Sequence, residues 1–402
     1  MPYIEREARF GAHNYAPLPV VLAQGKGSWV AAVDGREYLD LMSAYSAVSF
    51  GHAHPHIVDA LVRQAQRLAV TSRAFYNDGL PLLLERIARL TGLAKALPSN
   101  GGAEAVETAL KAMRKWGYRV KGIAPDRAQI ITCAGNFHGR TITIVGFSSE
   151  AQYRDGFGPF PPGFVSVPYG DVQALADAIT PDTAGFLVEP VQGEGGIVVP
   201  PDGYLAECAR LCRARNVLMV CDEIQTGLGR TGYFLGCEHD GVTPDGVILG
   251  KALGGGLLPV SLFVATDDVM RVFTPGDHGN TFGGNPLACA VAMAALDVLE
   301  REDLVARSAT LGRWLLAQLR AIRSPVLADV RGRGLFIGLE VAPRYGDARA
   351  FVDRLLARRI LSKDTHGTVV RIAPPLNIAA SDLEWALGEI AAVCRELEAA
   401  AG

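Results

Sequence analysis

Lys251 and Asp222 are the residues whose types and placement first point to chemistry. Lys251 sits in Val247-Ile-Leu-Gly-Lys-Ala-Leu-Gly-Gly-Gly256, where an apolar stretch runs into a glycine-rich turn. The chain holds seven lysines (Lys26, Lys95, Lys111, Lys115, Lys121, Lys251 and Lys363) against a large excess of arginine. Only Lys251 closes a buried-looking strand, and the others lie in polar or helix-surface settings. An earlier apolar stretch, Val217-Leu-Met-Val-Cys221, ends in Asp222-Glu223. A lysine and a carboxylate at the ends of successive buried strands fit a pyridoxal phosphate site. The amine would hold the aldehyde and the acid would face the pyridinium nitrogen. A buried ion pair, or a pair of strand-end residues reaching solvent, fits the same facts equally well.

Other segments carry weaker signals. Ser99-Asn-Gly-Gly-Ala-Glu-Ala105 opens the clearest helical pattern, and its glycines and free N–H groups would receive a phosphate. Taken alone it reads more simply as an Asn N-cap with a glycine turn. In Ala134-Gly-Asn-Phe-His-Gly-Arg-Thr141, Phe137 or His138 could stack on an aromatic cofactor and Arg140 could clamp a carboxylate. Singly, such a Phe is more often core and such an Arg a surface charge. Phe186-Leu-Val-Glu-Pro-Val-Gln-Gly-Glu194 brings Glu189 and Glu194 to a strand end, and His278-Gly-Asn-Thr-Phe-Gly-Gly-Asn-Pro286 offers a hydroxyl before a helix. Arg371 lies within an apolar strand, so it faces a cleft or else snorkels to solvent. Gly227-Leu-Gly-Arg-Thr-Gly232 matches a dinucleotide fingerprint, but no helical period follows it to receive a pyrophosphate, and it is rejected.

These residues need a frame. Ser28 to Leu41 reads as a β-hairpin around Asp34-Gly35, and helical periodicity covers 56–68, 80–91 and 102–118. Short apolar strands then alternate with helices: 129–133, 185–188, 218–221, 247–249 and 260–265, with a helix at 204–215. That alternation predicts a mostly parallel sheet covered on both faces. After Pro286, long helices at 287–299, 304–322, 348–358 and 383–397 frame strands at 335–341 and 369–372, an α+β layout. The 402 residues, 49% hydrophobic and 20% charged, describe an ordinary globular chain of several domains. A net charge of −3 gives no electrostatic case for nucleic acid or an anionic membrane. The longest apolar run, Ala288 to Leu296, is too short to span a bilayer. The start of the chain has the plan of neither a signal nor a transit peptide, so a cytoplasmic protein is expected. Seven cysteines without a Cys-x-x-Cys pair read as reduced core residues, and Cys208 with Cys212 on one helix face makes no metal site.

Taken together the segments resemble the class III (ω-amino) pyridoxal-phosphate-dependent aminotransferases, and within that family the branch acting on ornithine. The resemblance runs in order through His13-Asn-Tyr-Ala-Pro-Leu-Pro19, Ser43-Ala-Tyr-Ser-Ala-Val48, Gly51-His-Ala-His-Pro55, Ser72-Arg-Ala-Phe-Tyr-Asn77 and Gly135-Asn-Phe-His-Gly-Arg-Thr141. It continues through Gly156-Phe-Gly-Pro-Phe160, Asp222-Glu-Ile-Gln-Thr-Gly227, Gly250-Lys-Ala-Leu253 and Thr365-His-Gly-Thr-Val-Val-Arg-Ile-Ala-Pro-Pro375. It implies an α/β fold of type I: a large domain with a mostly parallel seven-stranded sheet flanked by helices, plus a smaller α+β domain. The expected division is an N-terminal segment 1–50, a large cofactor-binding domain 51–286 and a small C-terminal domain 287–402. The implied cofactor is pyridoxal 5′-phosphate. Lys251 would anchor it and carry the proton, and Asp222 would hold its pyridine nitrogen protonated. Phe137 and Ile224 would sandwich the ring, Gln225 would meet its hydroxyl edge, and Gly101, Gly102 and Ala103 would cradle the phosphate. Thr281 would reach the phosphate of a neighbouring subunit, which implies a homodimer or an assembly of dimers.

The implied substrates are L-ornithine and 2-oxoglutarate, with N-acetylornithine or 4-aminobutyrate as the alternative donors. Such an enzyme must present the distal amine of one substrate and the 2-keto group of the other at one position. A free Arg371 would bind ornithine by its α-carboxylate and offer the wrong amine. The resemblance therefore implies that Glu194 masks Arg371 with the donor bound and swings away for the keto acid, while Arg140 holds the distant carboxylate. Tyr15 and Tyr45 would meet the α-amino end of ornithine. There are departures from the family pattern. Gly101 lacks the usual hydroxyl of the phosphate loop, Asn280 stands where Ser is usual, and His138 occupies a position that is Trp in some relatives.

Overall fold

The apolar runs of residues 95–265 assemble into one seven-stranded sheet in a computed structural model that describes residues 2–401. Met1 and Gly402, at the outer ends of the first and third expected segments, lie outside the described residues. The strand order is Lys95–Ser99, Ser261–Ala265, Gly246–Leu249, Leu218–Asp222, Thr183–Val188, Gln129–Cys133, Phe164–Val167. From Gly246–Leu249 outward every neighbouring pair is parallel. Ser261–Ala265 runs antiparallel to both its neighbours. Thr183–Val188 and Leu218–Asp222 are buried along their whole length, as expected of parallel strands with both faces covered.

The two faces are visible in the packing. Val220, Ile248 and Leu187 join Ala105, Ala109 and Met113 of helix Gly102–Trp116 in one core. Met219, Cys221 and Phe186 turn the other way, towards Leu205, Cys208 and Cys212 of helix Tyr204–Ala214. Alternate residues of each strand thus feed opposite cores. Because the strands are parallel, their carboxyl ends share one edge, which is where an open α/β sheet offers a crevice. Asp222 is the last residue of its strand, Glu189 follows Val188, and Lys251 follows Gly250 after Leu249.

Two smaller sheets complete the frame. Leu22–Lys26, Trp29–Ala32 and Glu37–Asp40 are antiparallel, and Glu37–Asp40 also pairs in parallel with Ile360–Leu361. The N-terminal segment is therefore stitched to the C-terminal part of the chain. The other sheet orders Leu327–Arg333, Phe336–Val341, Val369–Ile372 and Lys363–Thr365, all antiparallel. Long helices Pro286–Arg301, Leu304–Ala321, Ala348–Ala357 and Ala380–Ala401 lie where the periodicity placed them. The strands that sequence reading omitted, such as Lys95–Ser99 and Leu327–Arg333, stand at sheet edges. Among the described residues no helix is long and apolar enough to cross a membrane.

Candidate active site

Lys251 leaves its strand through an extended Gly250 and takes a left-handed φ of 45°, in a turn closed by Leu253 N–H donating to the Gly250 carbonyl at 3.0 Å. A residue with a Cβ adopts that conformation only where surrounding structure holds it. Lys251, Asp222, Ile224, Gln225, Phe137, His138, Gly102 and Ala103 line a single cavity of about 200 Å³ at the carboxyl edge of the sheet. Burial pulls the Lys251 amine down to about 8, resisted by the charge of Glu194 and reinforced by that of Arg371. An amine so poised gives up its proton near neutral pH, as a nucleophilic or proton-carrying lysine must.

Asp222 is fixed from both sides. Its Oδ1 accepts the Ile224 N–H at 3.1 Å, and its Oδ2 lies 2.6 Å from His138 Nδ1. Burial opposes a charge on His138, but the Asp222 hydrogen bond and the charges of Asp222 and Glu189 outweigh it and raise its pKa. The imidazole thus stands as a hydrogen-bond partner directly against the Asp222 carboxyl. Glu189 stands next to this pair and accepts the N–H groups of Phe137 (3.1 Å) and Gly193 (3.4 Å). Burial pushes its carboxyl up to about 7, with His138 and the N–H groups pulling the other way. Sequence reading had treated His138 as a stacking candidate and Glu189 only as a strand-end acid. Their positions after neighbouring strands of one sheet were the available signal.

At the far end of the cavity lies the start of helix Gly102–Trp116. The Gly102 and Ala103 N–H groups have no acceptor within the helix, as at any helix start. Gly102 is needed for close approach, since a Cβ there would lie 2.9 Å from Ile224 Cδ1. Gly101, not Asn100, is the N-cap residue, without a side-chain cap. Asn100 instead donates its backbone N–H to Glu104 Oε2 at 2.7 Å. A Cβ on Gly101 would meet nothing within 4 Å, so a hydroxyl residue would fit there, and the Gly101 carbonyl accepts from Ser261 Oγ at 2.9 Å. Asn280 ties its loop to this turn, donating to the Pro98 carbonyl at 3.3 Å and accepting from Asn100 Nδ2 at 3.4 Å.

Arg371, in strand Val369–Ile372, faces the cleft rather than solvent. It is 1% exposed, and its guanidinium donates to Glu194 Oε1 and to Gln225 Oε1. Gln225 Nε2 closes the triangle on Glu194 Oε1 at 3.4 Å. Tyr45 lies with its ring centre 5.2 Å from Arg371 Cζ. Burial and the Glu194 charge raise the Tyr45 phenol, Arg371 lowers it, and Tyr15 adds a smaller push that marks it as a neighbour. Tyr15 itself is 73% exposed. Arg140 is exposed beside the cavity, its guanidinium 3.6 Å from the Tyr153 ring centre and 5.6 Å from that of Phe137. Thr281 is exposed and does not line this cavity.

An amine, an acid with a charged partner, a flat apolar face at Ile224 and an N–H cradle in one cavity match the parts of pyridoxal phosphate. The family described as "Aminotransferase class-III" matches residues 10–394. The chain is 54% identical over 392 residues to the ornithine aminotransferase of Bacillus subtilis (strain 168), covering 98% of this chain and 97% of that one. It is similar to the structure of ornithine aminotransferase from Toxoplasma gondii, which carries PLP at partial occupancy in its active site. The TM-score is 0.97 at 44% identity, with 99% of this chain and 95% of that one covered. An acetylornithine aminotransferase from Elizabethkingia anophelis aligns with a TM-score of 0.89 at 45% identity, covering 98% of both chains. Matched along nearly all of its length, the chain belongs to the class III aminotransferases, a family of pyridoxal-phosphate-dependent enzymes.

Proposed function

We propose that this enzyme moves the δ-amino group of L-ornithine to 2-oxoglutarate, giving L-glutamate and glutamate 5-semialdehyde, which cyclises to pyrroline-5-carboxylate. The observation that carries this reading is the pairing of Arg371 with Glu194 and Gln225 beside Lys251 and Tyr45. A guanidinium so engaged does not seize the α-carboxylate of an incoming diamine, and the distal amine is the one left to approach Lys251. A site that offers polar partners to the α-amino end rejects donors that lack it, and Tyr15 and Tyr45 supply that end. When the keto acid binds, Glu194 moves off and Arg371 takes its α-carboxylate, with Arg140 on the distant one.

Pyridoxal phosphate, when bound, would supply an electron sink for the electron pair left on the donor carbon when its proton is removed. Lys251 anchors it and carries that proton. Asp222, backed by His138, holds the proton on the pyridine nitrogen. Phe137 and Ile224 would hold the ring, Gln225 its hydroxyl, and Gly101, Gly102 and Ala103 the phosphate. Thr281 serves the site of a second copy, so the working unit is a homodimer. Supporting this, Thr281 adjoins an exposed Phe282, and Asn77 Nδ2 holds the Gly284 carbonyl at 3.1 Å, bringing the exposed Phe75 and Tyr76 into the same region. The division 1–50, 51–286 and 287–402 is retained, the first part pairing its strands with Ile360–Leu361. Seven free, buried cysteines favour a reducing compartment such as the cytoplasm.

The test is to supply ornithine, N-acetylornithine or 4-aminobutyrate with 2-oxoglutarate, and to measure glutamate together with trapped pyrroline-5-carboxylate. Equal yields of both from ornithine support the reading. Glutamate without pyrroline-5-carboxylate means the α-amine was taken, and faster turnover of N-acetylornithine would move the assignment to that donor.

A further inference from the structure

Arg230 and Arg371 are both wholly buried arginines, at 0% and 1% exposure. Arg371 has Glu194, whereas among the described residues no carboxylate lies within ion-pair reach of Arg230. Burial without such a partner pulls the pKa of Arg230 down to about 9. A buried guanidinium is costly unless its N–H groups find partners, and both Nη groups of Arg230 do, while its Nε has none among the described residues.

Its bonds reach three separate stretches. Nη1 donates to the carbonyls of Leu335 at 3.0 Å and Pro374 at 2.6 Å. Nη2 donates to Ser49 Oγ at 2.8 Å and Ser43 Oγ at 3.3 Å. Each serine passes the hold onward. Ser49 Oγ donates to the Ser46 carbonyl at 2.8 Å, and Ser43 Oγ donates to the Ala373 carbonyl at 2.6 Å.

Ser43 and Ser46 are the ends of an unusual turn. Ser43, Ala44, Tyr45 and Ser46 have φ of 45°, 47°, 58° and 73°, one turn of left-handed helix without a glycine. Side chains with a Cβ disfavour that hand at every residue, so the turn persists only if its surroundings over-determine it. The Arg230 fork, through one serine at each end, supplies that constraint. The loop Gly227 to Gly232, whose glycines imitate a dinucleotide fingerprint, is what brings Arg230 inward. A Cβ on Gly232 would lie 2.9 Å from Ala309 Cα.

We propose that Arg230 is a positioning residue for donor specificity: through Ser43 and Ser49 it clamps the left-handed turn and so holds the Tyr45 ring beside Arg371. This rests on the reading above in which Tyr45 meets the α-amino end of ornithine. Arginine is required because its planar fork serves separated acceptors at once, whereas a lysine offers donors from a single point.

The test compares Arg230→Lys, the double variant Ser43→Ala/Ser49→Ala, Tyr45→Ile, and Arg230→Lys combined with Tyr45→Ile, all as holoenzymes. Amide hydrogen exchange over residues 42–50 reads the clamp directly, and kcat and KM for ornithine, 4-aminobutyrate and 2-oxoglutarate read its consequence. With the clamp lost, exchange in 42–50 quickens about tenfold and KM for ornithine rises about tenfold, while KM for 2-oxoglutarate in the serine variant moves less than about twofold. In the Tyr45→Ile background, Arg230→Lys leaves the ornithine to 4-aminobutyrate ratio unchanged, because the residue it acts through is gone. Unaltered exchange, an equal loss for all substrates, or an additive effect on that ratio would overturn the proposal. Should Arg230→Lys fail to fold, the serine variant decides, since it spares the bonds to Leu335 and Pro374. Should the parent enzyme not turn over ornithine, the donor reading fails while the exchange measurement still decides whether the clamp exists.

Discussion

His138 Nδ1 lies 2.6 Å from Asp222 Oδ2 with both side chains out of water. A carboxylate buried alone would tend to take up a proton, and an uncharged acid could not hold a protonated pyridine nitrogen opposite it. The imidazole gives Asp222 a partner at short range. Its own pKa is pulled down by burial but raised overall by the Asp222 hydrogen bond and the charges of Asp222 and Glu189. Asp222, His138 and Glu189 thus form one electrostatically linked buried cluster.

Replacing His138 by Phe keeps the bulk and removes the donor. A hydrogen bond to a charged group is worth about 2 kcal/mol, so cofactor affinity and kcat should each fall by roughly tenfold or more. Equilibrium titration of cofactor into stripped protein, with kcat at saturating cofactor, reads both. Unchanged values would mean that Asp222 needs no partner.

Glu194→Gln should uncover Arg371. Burial by itself would raise the Glu194 carboxyl, but Arg371, then Lys251, hold it below the usual range. The pair is therefore fully present above the ordinary carboxylate pKa and is lost only as pH falls through the lowered one, so the ion pair persists at neutral pH. Without the charge, ornithine should bind by its α-carboxylate in part. Trapped pyrroline-5-carboxylate should drop below the glutamate formed, and the half-reaction with L-glutamate should quicken by about tenfold. A one-to-one yield in the variant would show that specificity is set elsewhere.

What was readable beforehand follows from where each residue sits. The interior strands 218–222 and 246–249 are covered on both faces, so their apolar runs stand out and a charge at the end of each is conspicuous. Every strand that escaped the reading lies at the edge of a sheet: Leu22–Lys26, Lys95–Ser99, Phe164–Val167, Leu327–Arg333, Ile360–Leu361 and Lys363–Thr365. Leu22–Lys26, Lys95–Ser99, Leu327–Arg333 and Lys363–Thr365 carry Lys, Arg, Pro or Asp, which guards against pairing with other chains and erases the pattern, and Ile360–Leu361 is too short to show one. The partnership of His138 with Asp222 spans 84 positions, and no local spacing encodes it. Tyr15 and Thr281 are exposed, and local sequence does not dictate where an exposed loop points.

The lowered pKa of Lys251 fixes a stability change in cofactor-free protein. In the fold the amine titrates near 8, against 10.5 as an ordinary lysine. Between those values the unfolded chain binds the proton that the folded chain has lost, so stability rises with pH across that window. Below it the folded state bears the whole penalty of a buried charge, on the order of 3 kcal/mol. Lys251→Met should therefore be more stable than the parent at pH 7 by about that amount, relative to their difference near pH 10.5. Denaturant unfolding of both proteins at the two pH values measures it, and a constant difference would contradict a lysine whose pKa burial lowers.

Glu189 should give the opposite slope in a different window. Its carboxyl titrates near 7 in the fold and near 4.5 ordinarily. Between these values the folded chain holds a proton that the unfolded chain releases, so stability falls as pH rises, by about 3 kcal/mol in all. Glu189→Gln removes the titration but also costs an acceptor, since the two carboxyl oxygens serve Phe137 N–H and Gly193 N–H. The absolute effect of the variant is thus mixed, whereas its pH dependence is not. Relative to the parent, the variant should gain stability steadily from pH 4.5 to 7 and stay level above. The His138→Phe background sharpens the test, because the histidine charge is what holds Glu189 down. There the gain should still begin near pH 4.5 but continue to a higher pH, since only the folded value moves. An upper limit that stays in place would separate Glu189 from the His138–Asp222 pair.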